Sequence, residues 1–205
     1  MKLFNLHTHQ VINNGIFNAG LTLHNDHCSC GLHPWNIKDD WEEQLSFLQK
    51  LVYSDHVVAV GETGLDKLSE VDWELQLTVF RKHLEIVNEV NKPMIIHCVK
   101  AYNELLRELS GNHQTVVFHD FNKGKGVLSQ LLRQQNFFVS IGKAIIRDHF
   151  REVIREMPIN RLFIETDDTD LNLDSLYHHV AAIKNVTLQQ LVDQIDKNKR
   201  QVFGI

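Results

Sequence analysis

The chain has 205 residues, a net charge of −5 with neutral histidines, and 43% hydrophobic residues. This length predicts a single domain over residues 1–205, and the ordinary composition excludes a disordered or fibrous protein. No run of about 18 apolar residues occurs, so the sequence predicts no membrane-spanning segment. The negative charge offers no general attraction to nucleic acid or anionic membranes, although it is compatible with a local basic patch.

The start of the chain and its cysteines both predict a cytoplasmic protein. Histidines follow the first residue so closely that there is no room for the apolar region of a secretory signal. The three cysteines are Cys28, Cys30 and Cys98, and an odd number without a disulfide spacing is typical of a reducing compartment. Cys28 and Cys30 form a lone C-x-C pair, which we interpret as two small residues of a strand.

Short apolar segments alternate with longer amphipathic ones along the chain. Several of the short segments are β-branched or aromatic, such as VVAV and TVVF, which is typical of strands buried on both faces. The predicted strands cover residues 2–8, 11–17 (a weak pattern), 27–32, 56–61, 93–97, 115–119, 137–141 and 161–166. Apolar spacings of three and four predict helices between them. These helices cover residues 37–52, 72–90, 102–109, 126–134 and 148–157, with two more after Asp174 and Thr187.

This alternation predicts an α/β protein with a mainly parallel sheet. Eight strands suit a TIM (β/α)8 barrel, and 205 residues is a short chain for that fold. The shortage lies between His9 and Cys28, where a full first helix and second strand do not fit. We therefore predict a barrel that is distorted or trimmed near the first helix and the second strand.

Histidines and carboxylates stand at or just past the carboxyl ends of the predicted strands. In a parallel barrel these ends open on one face, where active sites are built. Imidazole and carboxylate ligands suit zinc, manganese or iron, and six of them exceed the three that one tetrahedral catalytic ion takes from the protein. The sequence therefore predicts two divalent ions (Zn, Mn, Mg or Fe) that share a bridging carboxylate. The predicted ligands are His7, His9, Glu62, His97, His119 and Asp167.

The same segments resemble a known family. Its motifs occur here in order as HTH at 7–9, GLHP at 31–34, GETGLD at 61–66, PMIIH at 93–97, FHDF at 118–121 and IETD at 164–167. Together they resemble the TatD-like metal-dependent hydrolases of the amidohydrolase superfamily. The resemblance implies a TIM-type barrel, a divalent metal centre and DNase activity by phosphodiester hydrolysis. It assigns His7, His9 and Asp167 to the first ion and His97 and His119 to the second, with Glu62 as the bridge.

The sequence also departs from the family pattern. Asn5 stands where the family has an Asp before the first histidine, and Val99 stands where it has an Arg. The family's His-Cys-Phe-Ser-Gly reads HDFNKG here, and Lys123 in this segment is a predicted substrate contact, with a solvated lysine as the alternative. These departures leave the substrate pocket less well defined than the metal centre.

Three further residues have two interpretations each. His33 follows a strand end and is a predicted substrate contact, with a structural histidine beside Pro34 as the alternative. Asp66 either orients a metal ligand or caps a helix. Trp35 either stacks on a base or packs under a loop.

The predicted function is divalent-metal-dependent hydrolysis of a phosphodiester by a hydroxide activated at a two-metal centre. Asp167 and Glu62 are the predicted catalytic residues that accept or shuttle the proton. The predicted partner is a phosphate-ester substrate such as DNA, and the sequence assigns no oligomeric state. Two alternatives stay open: hydrolysis of amide, lactone or other ester bonds, and an inactive metal-stabilised binding protein.

Overall fold

A computed structural model describes residues 2–205, in which eight parallel strands form one sheet in chain order. The strands are β1 (Asn5–Thr8), β2 (Gly15–Gly20), β3 (Cys28–Cys30), β4 (Val57–Asp66), β5 (Met94–Val99), β6 (Val116–Phe118), β7 (Phe137–Ile141) and β8 (Leu162–Ile164). A parallel bridge between Thr8 and Asp167 joins the carboxyl end of β1 to the segment after β8. The sheet therefore forms a nearly closed barrel, and the predicted TIM-type α/β fold is confirmed.

Helices follow every strand from β3 onward. They are α1 (Trp41–Leu51), α2 (Trp73–Val90), α3 (Tyr102–Glu108), α4 (Lys125–Leu132), α5 (Arg151–Glu156), α6 (Leu173–Lys184) and α7 (Leu188–Phe203). Most begin and end within a few residues of their predicted bounds. Side-chain caps mark the starts of α2 and α7. Asp72 accepts a hydrogen bond from the backbone of Leu75 before α2, and Thr187 forms a capping box with Gln190 before α7.

The barrel is trimmed where the sequence predicts it, but by loss of helices rather than of a strand. Residues 9–14 connect β1 to β2 and residues 21–27 connect β2 to β3, and neither connection contains a helix. The second strand lies at Gly15–Gly20 instead of the predicted 11–17. The reason is local: Asn14 donates its side-chain amide to the carbonyl of Leu3, at 2.8 Å, and so belongs to the turn that precedes the strand.

The core lies inside the barrel and between the barrel and its helices. Large aromatic side chains fill it, including the fully buried Phe118, Phe138 and Phe163. Cys28 and Cys30 are buried, free residues of β3, as predicted. Within residues 2–205, none of the helices has both the length and the apolar character needed to cross a bilayer.

Candidate metal centre

Glu62 lies within β4, four residues before its carboxyl end, and its carboxylate is at the centre of the site. Four imidazole rings approach its buried carboxylate. His7 Nε2 lies 3.3 Å from Oε2, whereas His33 Nε2, His97 Nδ1 and His119 Nε2 lie 3.2, 2.9 and 2.8 Å from Oε1. The two carboxylate oxygens thus face different histidines, as expected of a carboxylate that joins two ligand groups.

The donor set fits divalent ions. Both ring nitrogens of His7 and Nδ1 of His119 are buried without a hydrogen-bond partner in the described part of the chain. Buried polar atoms without partners are rare, and a cation shared with Glu62 and Asp167 would account for His7 Nε2, which faces both carboxylates. Three overlapping groups of ligand atoms lie within coordinating reach of one another. The groups are His7, Glu62 and His119; His7, His9 and Asp167; and His33, Glu62 and His97.

The open side of the centre consists of Asp167, His7 on β1 and His9 just after that strand. Asp167 Oδ1 lies 3.7 Å from His7 Nε2 and 3.5 Å from His9 Nε2. Asn5 holds this side together: its amide donates to Thr166 Oγ1 at 2.8 Å and accepts from the Thr166 backbone at 3.1 Å. Asn5, which departs from the family pattern, therefore positions the residue next to Asp167.

His97 is oriented by a second carboxylate. Its Nε2 lies 3.1 Å from Asp66 Oδ2, which also accepts a hydrogen bond of 2.7 Å from the indole of Trp35. An Nε2–H donated to Asp66 leaves the lone pair on Nδ1, which faces Glu62, and this is the usual arrangement of a metal-binding histidine. Asp66 is thus an orienting residue and not a helix cap, since Asp72 caps α2.

Glu165 lies behind His119, at a longer distance than Asp66 from His97. Its Oε1 is 3.5 Å from His119 Nδ1 and accepts from the Asp120 backbone at 2.5 Å, while Oε2 accepts from the Ser140 hydroxyl. The chain therefore places a buried carboxylate behind each of the two histidines predicted to share an ion. Sequence reasoning missed Glu165, although alternation along IETD places it on the same face as Asp167.

His33 has a different hydrogen-bond pattern from the other histidines. Its Nδ1 accepts from the backbone of Trp35 at 3.1 Å, so in the neutral ring the proton is on Nε2, which faces Glu62. A protonated nitrogen donates and does not bind a metal, which favours the predicted substrate contact over metal binding. Buried His83 on α2 fixes this loop, because its Nε2 accepts from the backbone of Leu32 at 3.0 Å.

Electrostatics keep the central carboxylates ionised. Burial alone would raise the pKa of Glu62, but His119, His33 and His7 outweigh it and hold this pKa well below the ordinary value. Burial likewise opposes ionisation of Asp167, yet the hydrogen bond with His9 and the nearby imidazoles lower its pKa to about 2. Both carboxylates are therefore in the ionised form that binds a cation.

A cavity of about 440 Å³ opens above these residues. Five of the six predicted ligands line it, and the buried His7 does not; the lining ligands are His9, Glu62, His97, His119 and Asp167. The wall also contains Asn18 and Lys143, which the sequence did not single out. Asn18 donates to Glu62 Oε2 at 2.9 Å. Lys143 is part of this wall, whereas Lys123, the predicted substrate contact, is not among the described residues that line it.

At the carboxyl end of this parallel barrel, histidines and carboxylates surround one glutamate. This is the architecture of a metal-dependent hydrolase. The chain belongs to the family described as TatD related DNase, which it matches over residues 13–204. The family resemblance predicted from the six motifs is therefore confirmed.

Curated relatives agree with this assignment. The chain is 27% identical over 199 residues to the uncharacterized metal-dependent hydrolase YabD of Bacillus subtilis, covering 87% of this chain and 78% of that protein. It is 28% identical over 197 residues to the uncharacterized metal-dependent hydrolase YcfH of Escherichia coli K12, covering 86% and 73%.

Solved structures share the fold. YJJV, a TatD homolog from Escherichia coli K12, superposes with a TM-score of 0.76 at 20% identity over 87% of this chain and 77% of that one. A hydrolase TatD family protein from Entamoeba histolytica superposes with a TM-score of 0.78 at 17% identity, over 98% of this chain and 97% of that one. Nearly full mutual coverage means that a barrel of this reduced size also occurs in that protein.

Proposed function

We propose that this protein hydrolyses phosphodiester bonds, with DNA as the substrate class, by means of two divalent ions held on either side of Glu62. One observation carries the proposal: each oxygen of the Glu62 carboxylate faces a different histidine group, with His7 at Oε2 and His97 and His119 at Oε1. A carboxylate with this surrounding is suited to bridge two ions. His7, His9 and Asp167 would hold one ion, and His97 and His119 the other.

The chain's own residues supply the remaining chemistry. Divalent ions in such a centre activate water and withdraw charge from a phosphoryl oxygen. The pKa of Asp167, about 2, keeps the carboxylate ionised at neutral pH, as a cation ligand must be. The predicted role of Asp167 as acceptor of the proton from the attacking water is retained in this proposal. In the proposed complex His33 Nε2–H, which lies 3.2 Å from Glu62 Oε1 in the free protein, donates to a substrate oxygen instead. Asp66 and Glu165 keep the rings of His97 and His119 in place.

Two observations favour a phosphate ester over an amide, lactone or other carboxylic ester. The family description names DNase activity, and the cavity wall contains a lysine, Lys143, which suits an anionic substrate. The buried carboxylates Asp66 and Glu165 favour an active enzyme over a binding protein. Groups that orient metal-binding histidines support the activity of a metal centre as well as its affinity for metal. A cytoplasmic location remains a prediction, and the free cysteines support it.

Turnover of bis(4-nitrophenyl) phosphate by the Mn²⁺-loaded protein tests this function. We expect hydrolysis that Asp167→Asn reduces by about a thousand-fold, since the variant loses both a ligand and the proton acceptor. Asp174→Asn is the matched control, because Asp174 is an exposed carboxylate of α6 paired with His178, and it should retain full activity. Metal binding without turnover of phosphate, carboxylic-ester and amide substrates would instead support the inactive binding protein.

A further inference from the structure

We propose that Lys143 binds the anionic group of the substrate and so selects phosphate esters; this assignment rests on the proposed function. Lys143 begins a short 3-10 turn, Lys143–Ile146, two residues after β7. Its position at a strand end brings the side chain into the cavity wall.

The ammonium group of Lys143 approaches the metal centre at Asp167. Its Nζ is 3.9 Å from Asp167 Oδ2, while the other oxygen of the same carboxylate, Oδ1, faces His7 and His9. A phosphoryl group placed between the ions and this side of the barrel would therefore meet the ammonium directly.

Asp120 holds the lysine in this position. Its Oδ2 lies 3.3 Å from Lys143 Nζ and accepts a bond of 3.3 Å from the Asn122 amide. The Asp120 backbone is fixed in turn by its hydrogen bond to Glu165. An ammonium has three donors, and two carboxylates use at most two of them. Because the Lys143 side chain is 40% exposed, the remaining donor is accessible from the cavity.

The charges around the cavity give Lys143 a distinct role. In the part of the chain that the structure describes, it is the one lysine or arginine of the cavity wall, which also contains Glu62, Asp120, Asp167 and Asp168. Apart from bound ions and imidazoles, no other side chain among the described residues of this wall carries a positive charge. Loss of Lys143 should therefore weaken binding of an anionic substrate more than it affects a neutral one.

The test compares Lys143→Met with Lys143→Arg and with Lys82→Met, all as Mn²⁺-loaded proteins. Lys82 is an exposed lysine of α2 paired with Glu85, so Lys82→Met removes the same charge far from the mouth. For Lys143→Met we expect KM for bis(4-nitrophenyl) phosphate to rise by about ten- to hundred-fold, the strength of a hydrogen bond between charged groups. Arginine should restore most of this loss, and kcat should change much less than KM.

Binding of inorganic phosphate, measured by calorimetry, separates this assignment from the proposed function. If the wild type binds phosphate but does not hydrolyse the diester, and Lys143→Met loses the binding, the function is wrong and the anion site stands.

Unchanged KM and phosphate binding in Lys143→Met would overturn the assignment, as would wild-type protein that binds no phosphate. A loss in Lys123→Met instead of Lys143→Met would transfer the role to Lys123. Equal weakening of Mn²⁺ binding and of neutral-ester turnover would reduce Lys143 to a counter-ion of Asp120 and Asp167, which also overturns it.

Discussion

The two sides of the metal centre are built differently. His97 and His119 are backed by Asp66 and Glu165, carboxylates that are themselves hydrogen-bonded to neighbouring groups. On the other side His9 is half-exposed, and its partner Asp167 follows β8 in a left-handed backbone conformation with φ of 54°. The first side, called the buried side below, is held by these two carboxylates, whereas the open side combines the fully buried His7 with the half-exposed His9 at the rim of the cavity.

This difference predicts how the two proposed ions would behave. Ligands whose orientation is fixed before the ion arrives lose little freedom on binding, so the buried side should hold its ion more tightly. The open side should exchange its ion more readily and leave room for substrate beside Lys143. The trimmed connections of residues 9–14 and 21–27 contribute to the openness, since no helix follows β1 or β2.

The largest expected effect comes from Glu62, the residue that joins the two sides. Glu62→Gln keeps the size of the side chain but removes its charge. We expect loss of metal on both sides and a fall of at least about a thousand-fold in kcat. Metal analysis after dialysis and single-substrate kinetics measure this, with Glu70→Gln as the control at an exposed position. Retention of two ions per chain in Glu62→Gln would contradict a bridging role.

A second effect concerns His83, which fixes the loop that carries His33. Burial lowers the pKa of His83 to about 4, whereas an ordinary histidine titrates near 6.5. Between these values the unfolded chain binds a proton that the folded protein does not. The stability due to neutral His83 is therefore fully present above pH 6.5 and is lost as the pH falls through 4, by about 3 kcal/mol in all.

Urea unfolding at several pH values tests this expectation. The free energy of unfolding of His83→Gln should depend less steeply on pH between 6.5 and 4 than that of the wild type, by up to about 1.4 kcal/mol per pH unit. His179→Gln is the control, since His179 is an exposed histidine of α6. Equal pH dependence in wild type and His83→Gln would mean that His83 is not the buried neutral group described above.

The orienting carboxylates should affect only the buried side. Asp66→Asn and Glu165→Gln are each expected to weaken the tighter ion by about ten- to hundred-fold, as is typical of groups that orient metal ligands. Isothermal titration with Zn²⁺ or Mn²⁺ separates the tight from the weak ion. Weakening of the open-side ion alone would reverse the assignment of the two sides.

The smallest effect is expected at the rim. In His9→Ala, water can replace a half-exposed ligand while His7 and Asp167 remain, so we expect the weaker ion to lose about tenfold in affinity. The tight ion should be unchanged in the same titration. A comparable loss at both sites would show that the two sides are not independent.

Much of this site could be predicted because strand ends are easy to locate in a parallel barrel. β7 begins and ends where its apolar run does, and each predicted ligand lies at or near the carboxyl end of a strand or in the segment that follows it. The TIM-type fold followed from the same alternation. Composition and spacing do not give the direction of side chains in connections, and for this reason the sequence named Lys123 as a substrate contact and assigned no role to Lys143.

Other parts depended on contacts between distant residues. The second strand was predicted four residues too early, so Asn18, which contacts Glu62, received no role. The carboxylates behind the histidines join residues 31 and 46 positions apart in the chain, Asp66 with His97 and Glu165 with His119. Such pairings become visible only when the barrel brings neighbouring strand ends together.

Electron paramagnetic resonance of the Mn²⁺-loaded protein tests the central claim most directly. Two manganese ions joined by the Glu62 carboxylate should give two ions per chain and the multiline spectrum of an exchange-coupled pair, and Glu62→Gln should abolish that coupling. A spectrum of isolated manganese in the wild type, at one ion per chain or fewer, would contradict a two-metal centre built around Glu62.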